Sequence, residues 1–363
     1  MKIALVISGL RIGGAEQVVV SLADALVQMG HSVIIICFQS QAYIRPFNFE
    51  IPVICIGLDS HVNIMSGLYR LRSELKQFQP DVVHSHMFHA NIACRLIRLV
   101  VAIPRLINTA HNNLETSPLR VLSYRYSNYL ADLFTNVSDQ SVIQYERLGI
   151  VKKGKMLCVH NGIACDRFYY DKNAGQQVLK SLGIYAPTKV VIGIGNLRKE
   201  KDFHSLLDAM KIVHENHNDV MLLLVGEGAL MESLKDAAMI NNISESVRFL
   251  GQRTDIRALL SAANVFALSS YTEGFPMVVG EAMASECFVV ATDCGGVREF
   301  LGDTGIIVSV KDPEGLAKGL LSALSLPDKE AEVYKQAARI RIRERYSLKA
   351  IAQQWLQLYT DLT

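Results

Sequence analysis

Three short stretches of this chain combine glycines, cations and acids at spacings that suit a phosphate-bearing ligand. The first, Ser8-Gly9-Leu10-Arg11-Ile12-Gly13-Gly14-Ala15-Glu16, joins an apolar run to a helical pattern. Backbone amides at such a helix start cradle anions, and glycine lets a phosphate come close. Gly9 is followed by Gly13 and Gly14, so the G-x-G-x-x-G dinucleotide fingerprint is not met. The second stretch, Gly195-Asn196-Leu197-Arg198-Lys199-Glu200-Lys201, sets Arg198 and Lys201 three apart, where two cations could converge on a diphosphate. The third runs from Glu273-Gly274-Phe275-Pro276 to Glu281-Ala282-Met283-Ala284. Pro276 suits the first turn of a helix, which leaves Glu273 in the preceding loop and Glu281 about two turns further on. Carboxylates so placed accept hydrogen bonds from vicinal hydroxyls, as a sugar or a ribose presents them. Taken singly, each stretch also reads as a tight turn, a solvated basic pair or two surface acids.

The elements that must hold these residues follow from hydrophobic patterning. Short runs rich in Val and Ile alternate with longer amphipathic stretches, the pattern of β-α units around parallel sheets buried on both faces. Strands are predicted at 3–7, 32–38, 53–56, 82–84, 106–108, 133–137 and 156–159. After a change of character near Asn161-Gly162, a second series falls at 190–194, 221–225, 247–249, 265–267, 288–291 and 306–308. The helical stretch 15–29 ends at Gly30, where a left-handed cap favours glycine. Gly175, Gly183 and Pro187 mark 166–187 as a linker. The segment from Asp328 to Leu362, with the only tryptophan, Trp355, is predicted to pack as a terminal helix pair. Each glycine or acid stretch above thus follows a strand, at the sheet edge where doubly wound folds bind ligands.

The chain of 363 residues is long enough for two such domains, and with half its residues apolar it is too hydrophobic for disorder. A net charge of +2 argues against nucleic acid as a partner. The first 170 residues carry 16 Lys and Arg against 11 Asp and Glu, so the basic half is the first. Residues 82–131 hold Arg95, Arg98, Arg105, Arg120 and Arg125 among apolar residues, with Glu115 as the single acid. That composition reads either as solvated helix arginines or as a face for an anionic membrane. Seven scattered cysteines without C-x-x-C spacing fit a reducing, cytoplasmic compartment. No secretory leader or membrane-spanning run of ~18 apolar residues is recognised. None of the 17 aspartates lies two residues from another, so no D-x-D diphosphate-metal motif exists.

The run EGFPMVVGEAMA at 273–284, followed by VVATDCGGVREF at 289–300, resembles the retaining glycosyltransferases of family 4. So do GGAEQVV at 13–19, GNLRKEKDF at 195–203 and VGEG at 225–228, ordered motifs that carry the resemblance from Ile3 to about Tyr346. The resemblance implies an α/β GT-B fold, two doubly wound Rossmann-like domains facing a central cleft. Residues 1–165 would form an acceptor-side domain, 166–187 the linker and 188–345 the nucleotide-sugar domain, with 346–363 returning as a C-terminal helix toward the first. It also implies roles. Glu281 would bind the ribose hydroxyls, and Glu273 would lie beside the donor sugar. Arg198 and Lys201 would neutralise the diphosphate, with Gly195, Gly274 and Phe275 completing the donor site. Gly13 and Gly14 would meet the donor from the first domain, and His111 would stand by the donor sugar.

The expected function is then a retaining, metal-independent hexosyltransferase. It would use a nucleotide-sugar donor, UDP before GDP, and a glycan or polyprenyl-diphosphate-linked acceptor at the inner face of the cytoplasmic membrane, in cell-surface polysaccharide or O-antigen synthesis. The acceptor hydroxyl would attack from the front face while the leaving diphosphate takes its proton, so no side-chain nucleophile, cofactor or metal is assigned. Alternatives are a non-hydrolysing nucleotide-sugar epimerase and a catalytically silent partner subunit. The chain departs from the family pattern at Ser285-Glu286-Cys287-Phe288, where a small residue, a glycine and a proline are usual, which places a differently shaped turn there.

Overall fold

A computed structural model describes residues 1–11, 13–58, 64–112 and 117–360; Ile12, Glu115 and residues 361–363, which entered the sequence reading, lie outside the described residues. The chain divides into two compact units, Met1–Gly162 with Leu348–Thr363, and Ile163–Ser347. In the first, β1 (Lys2–Ile7), α1 (Gly14–Gln28), β2 (Ser32–Cys37), β3 (Val53–Cys55), α2 (Ile64–Phe78), β4 (Val82–His86) and α3 (Phe88–Ile97) are followed by β5 (Arg105–Ala110), α4 (Pro118–Ser127), β6 (Leu133–Asn136), α5 (Asp139–Arg147) and β7 (Leu157–Cys158). All seven strands run parallel in the order β3-β2-β1-β4-β5-β6-β7. Side chains of β1 alternate between two cores. Ile3, Leu5 and Ile7 join α1, while Ala4 and Val6 join the face that α2 and α3 cover, so a continuous apolar run is what a doubly covered strand requires.

The second unit contains α6 (Lys172–Ser181), β8 (Lys189–Ile194), α7 (Phe203–Asn216), β9 (Val220–Val225), α8 (Met231–Ile240), β10 (Val247–Phe249), α9 (Ile256–Ala262) and β11 (Val265–Leu268). After these come α10 (Met277–Ala284), β12 (Phe288–Thr292), α11 (Val297–Leu301), β13 (Ile306–Val308), α12 (Pro313–Ser325) and α13 (Asp328–Arg345). Its six strands are parallel in the order β10-β9-β8-β11-β12-β13. The strand order reverses beside β1 in one sheet and beside β8 in the other, and the crevice outside the carboxyl ends at such a switch point is where these sheets take ligands. The last helix, α14 (Leu348–Thr360), belongs to the first unit. Its Ile351, Ala352, Trp355 and Tyr359 are buried in the core beneath α1.

Three expectations change. Residues 166–187 are no free linker, because α6 lies in the second unit and packs on α9. Gly175, taken as a turn signal, is mid-helix; a Cβ there would stand 2.9 Å from the Ser261 carbonyl, so the glycine permits close helix contact. The terminal helices are not one packed pair, since α13 packs against α10 in the second unit and α14 against α1 in the first.

The arginines of residues 82–131 do not form a free basic face. Arg95 is fully buried, donating to Asn108 Oδ1 (2.6 Å) and Ser127 Oγ (2.8 Å) with its guanidinium over Tyr124 and Phe134; burial pushes its pKa down to about 10. Arg98 pairs with Asp132 at 2.7 Å, Arg105 donates to the Tyr359 carbonyl, Arg120 lies over Phe88, and Arg125 donates to the carbonyls of Leu148 and Gly149. Long cationic side chains here tie loops and helices together. All seven cysteines are free thiols. Among the described residues no helix is long and apolar enough to cross a membrane.

Candidate functional site

In the second unit β8 delivers Gly195 to the carboxyl edge of the sheet. The chain then turns through a short 3-10 segment, Lys199–Lys201, before α7. Lys201 Nζ contacts Glu273 Oε1 at 2.5 Å, joining two residues 72 positions apart. Ser270 Oγ, just past β11, donates to the same oxygen (2.8 Å), and Ser269 Oγ donates to the Lys201 carbonyl (2.8 Å). A cation and an acid are thus held together where β8 and β11, adjacent strands at the switch point, end. Arg198 is exposed and forms no ion pair among the described residues.

The glycines around this pair leave room for backbone rather than side chain. A Cβ on Gly195 would stand 3.2 Å from Lys201 Cε. One on Gly226 would fall 1.9 Å from the Gly195 oxygen, at a φ of +138° that L-residues avoid. Gly295, at φ +54°, turns against the carbonyls of Glu273 and Gly274, and Gly296 lies on the buried ring of Phe275. Phe275 in turn stacks on Phe300 at 4.0 Å, so the loop carrying Glu273 is fixed to the core. Pro276 stands one residue before the helix rather than in its first turn, and Glu281 is in the middle of α10. Desolvation raises the Glu281 carboxyl to about 7, and among the described residues no cation neutralises it.

In the first unit, Gly13 is the N-cap of α1. A Cβ added to Gly14 would meet nothing within 4 Å, so packing does not demand glycine there and the helix start stays open. His111 follows β5, and its Nε2 lies 3.1 Å from Nδ1 of His86, the last residue of β4. His111 Nδ1 and His86 Nε2 are buried with no hydrogen-bond partner among the described residues. Burial pushes the pKa of His111 down to about 4, and burial with the neighbouring rings holds His84 and His86 well below the usual histidine range. All three are neutral at pH 7.

His84 packs on His86 with ring centroids 4.0 Å apart. Its Nε2 is hydrogen-bonded to Thr109 Oγ1, which is bonded in turn to Thr135 Oγ1, and its Nδ1 to the Tyr359 hydroxyl on α14, each at 2.7 Å. The sequence reading missed His84 and His86 as site neighbours, and likewise Ser269 and Ser270. The H-S-H spacing was the available signal, because residues i and i+2 on a strand share a face.

The structure therefore joins Lys201 to Glu273, with Gly195, Gly274 and Phe275 around them and Arg198 and Glu281 in the same unit. It sets His111 beside His86 in the other unit, which also carries Gly13 and Gly14.

Comparison with known proteins follows the same division. Residues 12–167 match the Glycosyltransferase Family 4 family and residues 176–341 the Glycosyl transferases group 1 family. Across 100% of this chain and 99% of its own length, a Campylobacter jejuni protein is 26% identical; it is named GalNAc-alpha-(1->4)-GalNAc-alpha-(1->3)-diNAcBac-PP-undecaprenol alpha-1,4-N-acetyl-D-galactosaminyltransferase. An Escherichia coli UDP-Gal:alpha-D-GlcNAc-diphosphoundecaprenol alpha-1,3-galactosyltransferase is 24% identical over 86% of this chain and 84% of its own. Among solved structures, Anabaena HepE in complex with UDP superposes with a TM-score of 0.86 at 20% identity, covering 99% of this chain and all of that one. With two parallel doubly wound units, and the two matches together spanning most of its length, the chain belongs to the GT-B glycosyltransferases of family 4.

Proposed function

We propose that this glycosyltransferase moves a hexose, with retention, from a UDP-sugar to a polyprenyl-diphosphate-linked glycan at the inner face of the cytoplasmic membrane, in cell-surface polysaccharide synthesis. The observation that carries the donor side is the Lys201–Glu273 pair at the carboxyl edge of β8 and β11, floored by glycines. Without a donor, Glu273 neutralises Lys201; an arriving diphosphate competes for that ammonium and frees the carboxylate to accept from sugar hydroxyls. Arg198, exposed three residues earlier, adds the second charge. The relatives' lipid-linked substrates and the UDP held by the Anabaena protein support the choice of acceptor and nucleotide.

Transfer with retention by front-face attack needs stabilisation of the departing diphosphate more than a protein nucleophile. Arg198 and Lys201 supply positive potential for that group. His111, neutral at pH 7, can donate or accept a hydrogen bond but brings no charge. Glu281 holds the ribose hydroxyls. Two cations at the diphosphate take the electrostatic role a divalent ion plays elsewhere, so the reaction proceeds without metal and retains full activity in excess chelator.

The test is thermal unfolding with UDP, GDP, ADP and NAD in parallel, repeated on Glu281→Ala. A ligand at a hundred times its dissociation constant adds about 2.7 kcal/mol. A shift with UDP alone that the variant loses supports this reading. A shift with GDP alone would replace the nucleotide, and sugar interconversion without an acceptor would replace transfer by epimerisation.

A further inference from the structure

Past the ends of β6 and β7, on the sheet edge that also carries His111, three residues of metal-ligating type come together within the first unit. The two strands pair parallel with Asn136 opposite Cys158, and the Val159 amide donates to the Asn136 carbonyl at 2.9 Å, so the pairing continues past β7. An extended strand sends alternate side chains to opposite faces. Val159 enters the apolar core, and Cys158 and His160 therefore emerge together on the other side, both half-buried. From Asn136 the neighbouring strand runs through Ser138, which caps α5 by accepting from the Ser141 amide, and the first residue of that helix is Asp139.

The distances suit an ion. Cys158 Sγ and His160 Nε2 are 3.5 Å apart, and with a carboxylate oxygen of Asp139 the ligand atoms lie within 4.8 Å of one another. Zinc bonds of about 2.3 Å to sulfur and about 2.0–2.1 Å to nitrogen, opened to the tetrahedral angle, hold those two atoms about 3.6 Å apart. Thiol and imidazole thus already stand at the edge length of a tetrahedral site. Asp139 is exposed, and turning its carboxylate about the side-chain bonds closes the remaining gap. A weak S–H···N hydrogen bond also fits the first distance, but it does not call for a carboxylate beside the pair.

The ligand types choose the ion. Thiolate and imidazole favour zinc over magnesium or calcium, which take oxygen ligands. On binding, the Cys158 thiol releases its proton to solvent as the sulfur–zinc bond forms. Carboxylate and thiolate then cancel the two positive charges of the ion, so the site closes neutral even at the positive end of α5. Three protein ligands with water in the fourth position are a sufficient set.

We infer that Asp139, Cys158 and His160 bind a zinc ion that ties the end of β7 to the start of α5. None of the three is among the residues assigned to the donor, so the ion stabilises the first unit without entering the proposed transfer.

The full chain, stripped with chelator, is titrated with zinc and with cobalt(II), whose thiolate complexes absorb in the near ultraviolet through charge transfer. One equivalent per chain is expected, with that band and a raised melting temperature. Cys158→Ser should abolish the band. His160→Ala and Asp139→Asn should each weaken zinc binding about a hundredfold or more, since loss of an outer partner alone costs about ten- to a hundredfold. Cys165→Ser, at a half-buried thiol outside the cluster, should change neither readout. Circular dichroism of the metal-free variants checks their folding, and the near-isosteric serine variant carries the test if the histidine variant does not fold. No zinc uptake by wild type, or uptake unchanged in Cys158→Ser, overturns the site. A band that Cys158→Ser removes but neither other variant weakens assigns the ion to a lone thiol and also overturns it. The UDP-induced shift is read on the metal-free chain. Its absence there fails the donor reading while the zinc site stands, and loss of zinc binding with the shift intact fails the zinc site alone.

Discussion

Glu281 carries a titration that can be read directly. Its carboxyl, raised by burial to about 7 in the folded chain, ionises near 4.5 when unfolded. Between these values the native state holds the proton and the unfolded state has lost it, so stability falls as pH rises through that window and levels off above it. Glu281→Gln should remove this slope, checked by denaturation at several pH values. If Glu281 binds ribose as the ionised carboxylate, UDP affinity should drop as pH falls below about 7, and calorimetry in two buffers should detect proton release on binding. Lys201→Met should lower kcat about a hundredfold or more if the ammonium stabilises the leaving diphosphate. The variant also leaves Glu273 with Ser270 Oγ alone, so unfolding measurements on it separate lost charge stabilisation from a loosened loop.

At the scale of elements, the turn after α10 is where this chain departs from its family, and the structure gives the consequence. Glu286 adopts φ +56°, the left-handed position that usually belongs to glycine, with its amide donating to the Met283 carbonyl while the Cys287 amide reaches that of Ala282. An ion pair to Arg339 at 3.3 Å partly offsets the strain. Both Glu286→Gly and Glu286→Ala lose this pair, but only glycine relieves the backbone, so the glycine variant should be more stable than the alanine variant by about 1 kcal/mol in chemical denaturation. The histidine stack is set the same way, by elements: β4 presents His84 and His86 on one face, β5 brings His111, and α14 supplies the hydroxyl that ends the chain of bonds. Tyr359→Phe leaves buried His84 Nδ1 without its hydrogen-bond partner and should cost about 1–3 kcal/mol.

At the scale of the molecule, the chain leaves the first unit after Gly162 and returns to it at Leu348, and the fold of the first unit is complete only with its last helix. Trp355, 4% exposed and 4.3 Å from the ring of His84, fills the core beneath α1. Trp355→Ala should destabilise this unit by about 3–5 kcal/mol while sparing the other, seen as a lowered first transition or a split unfolding curve by circular dichroism. Gly162 marks the crossing: a Cβ there would sit 2.7 Å from Leu348 Cα, so Gly162→Ala should also lower stability.

The thirteen strands among the described residues were legible in the sequence as short, mostly apolar runs between turn signals and longer amphipathic stretches, and with them the sheet edges that carry Gly13, His111, Gly195 and Glu273. The sequence also determined the family, through motifs that place a cation, an acid and glycines in chain order. Only tertiary structure decided which of those charges meet. The pairing of Lys201 with Glu273, and of His86 with His111, joins residues far apart in sequence, and no local pattern encodes such contacts. The arginines of residues 82–131 and the lysines after Val151 look alike as composition. Packing turned the first inward, to carbonyls and aromatic faces, and left the second in water, because an arginine can satisfy its donors inside a fold while an unpaired lysine is cheapest at the surface. Gly175 and the segment around it looked like a linker for the same reason: a glycine that lets two helices touch and one that lets a chain turn are the same letter until the partner helix is in place.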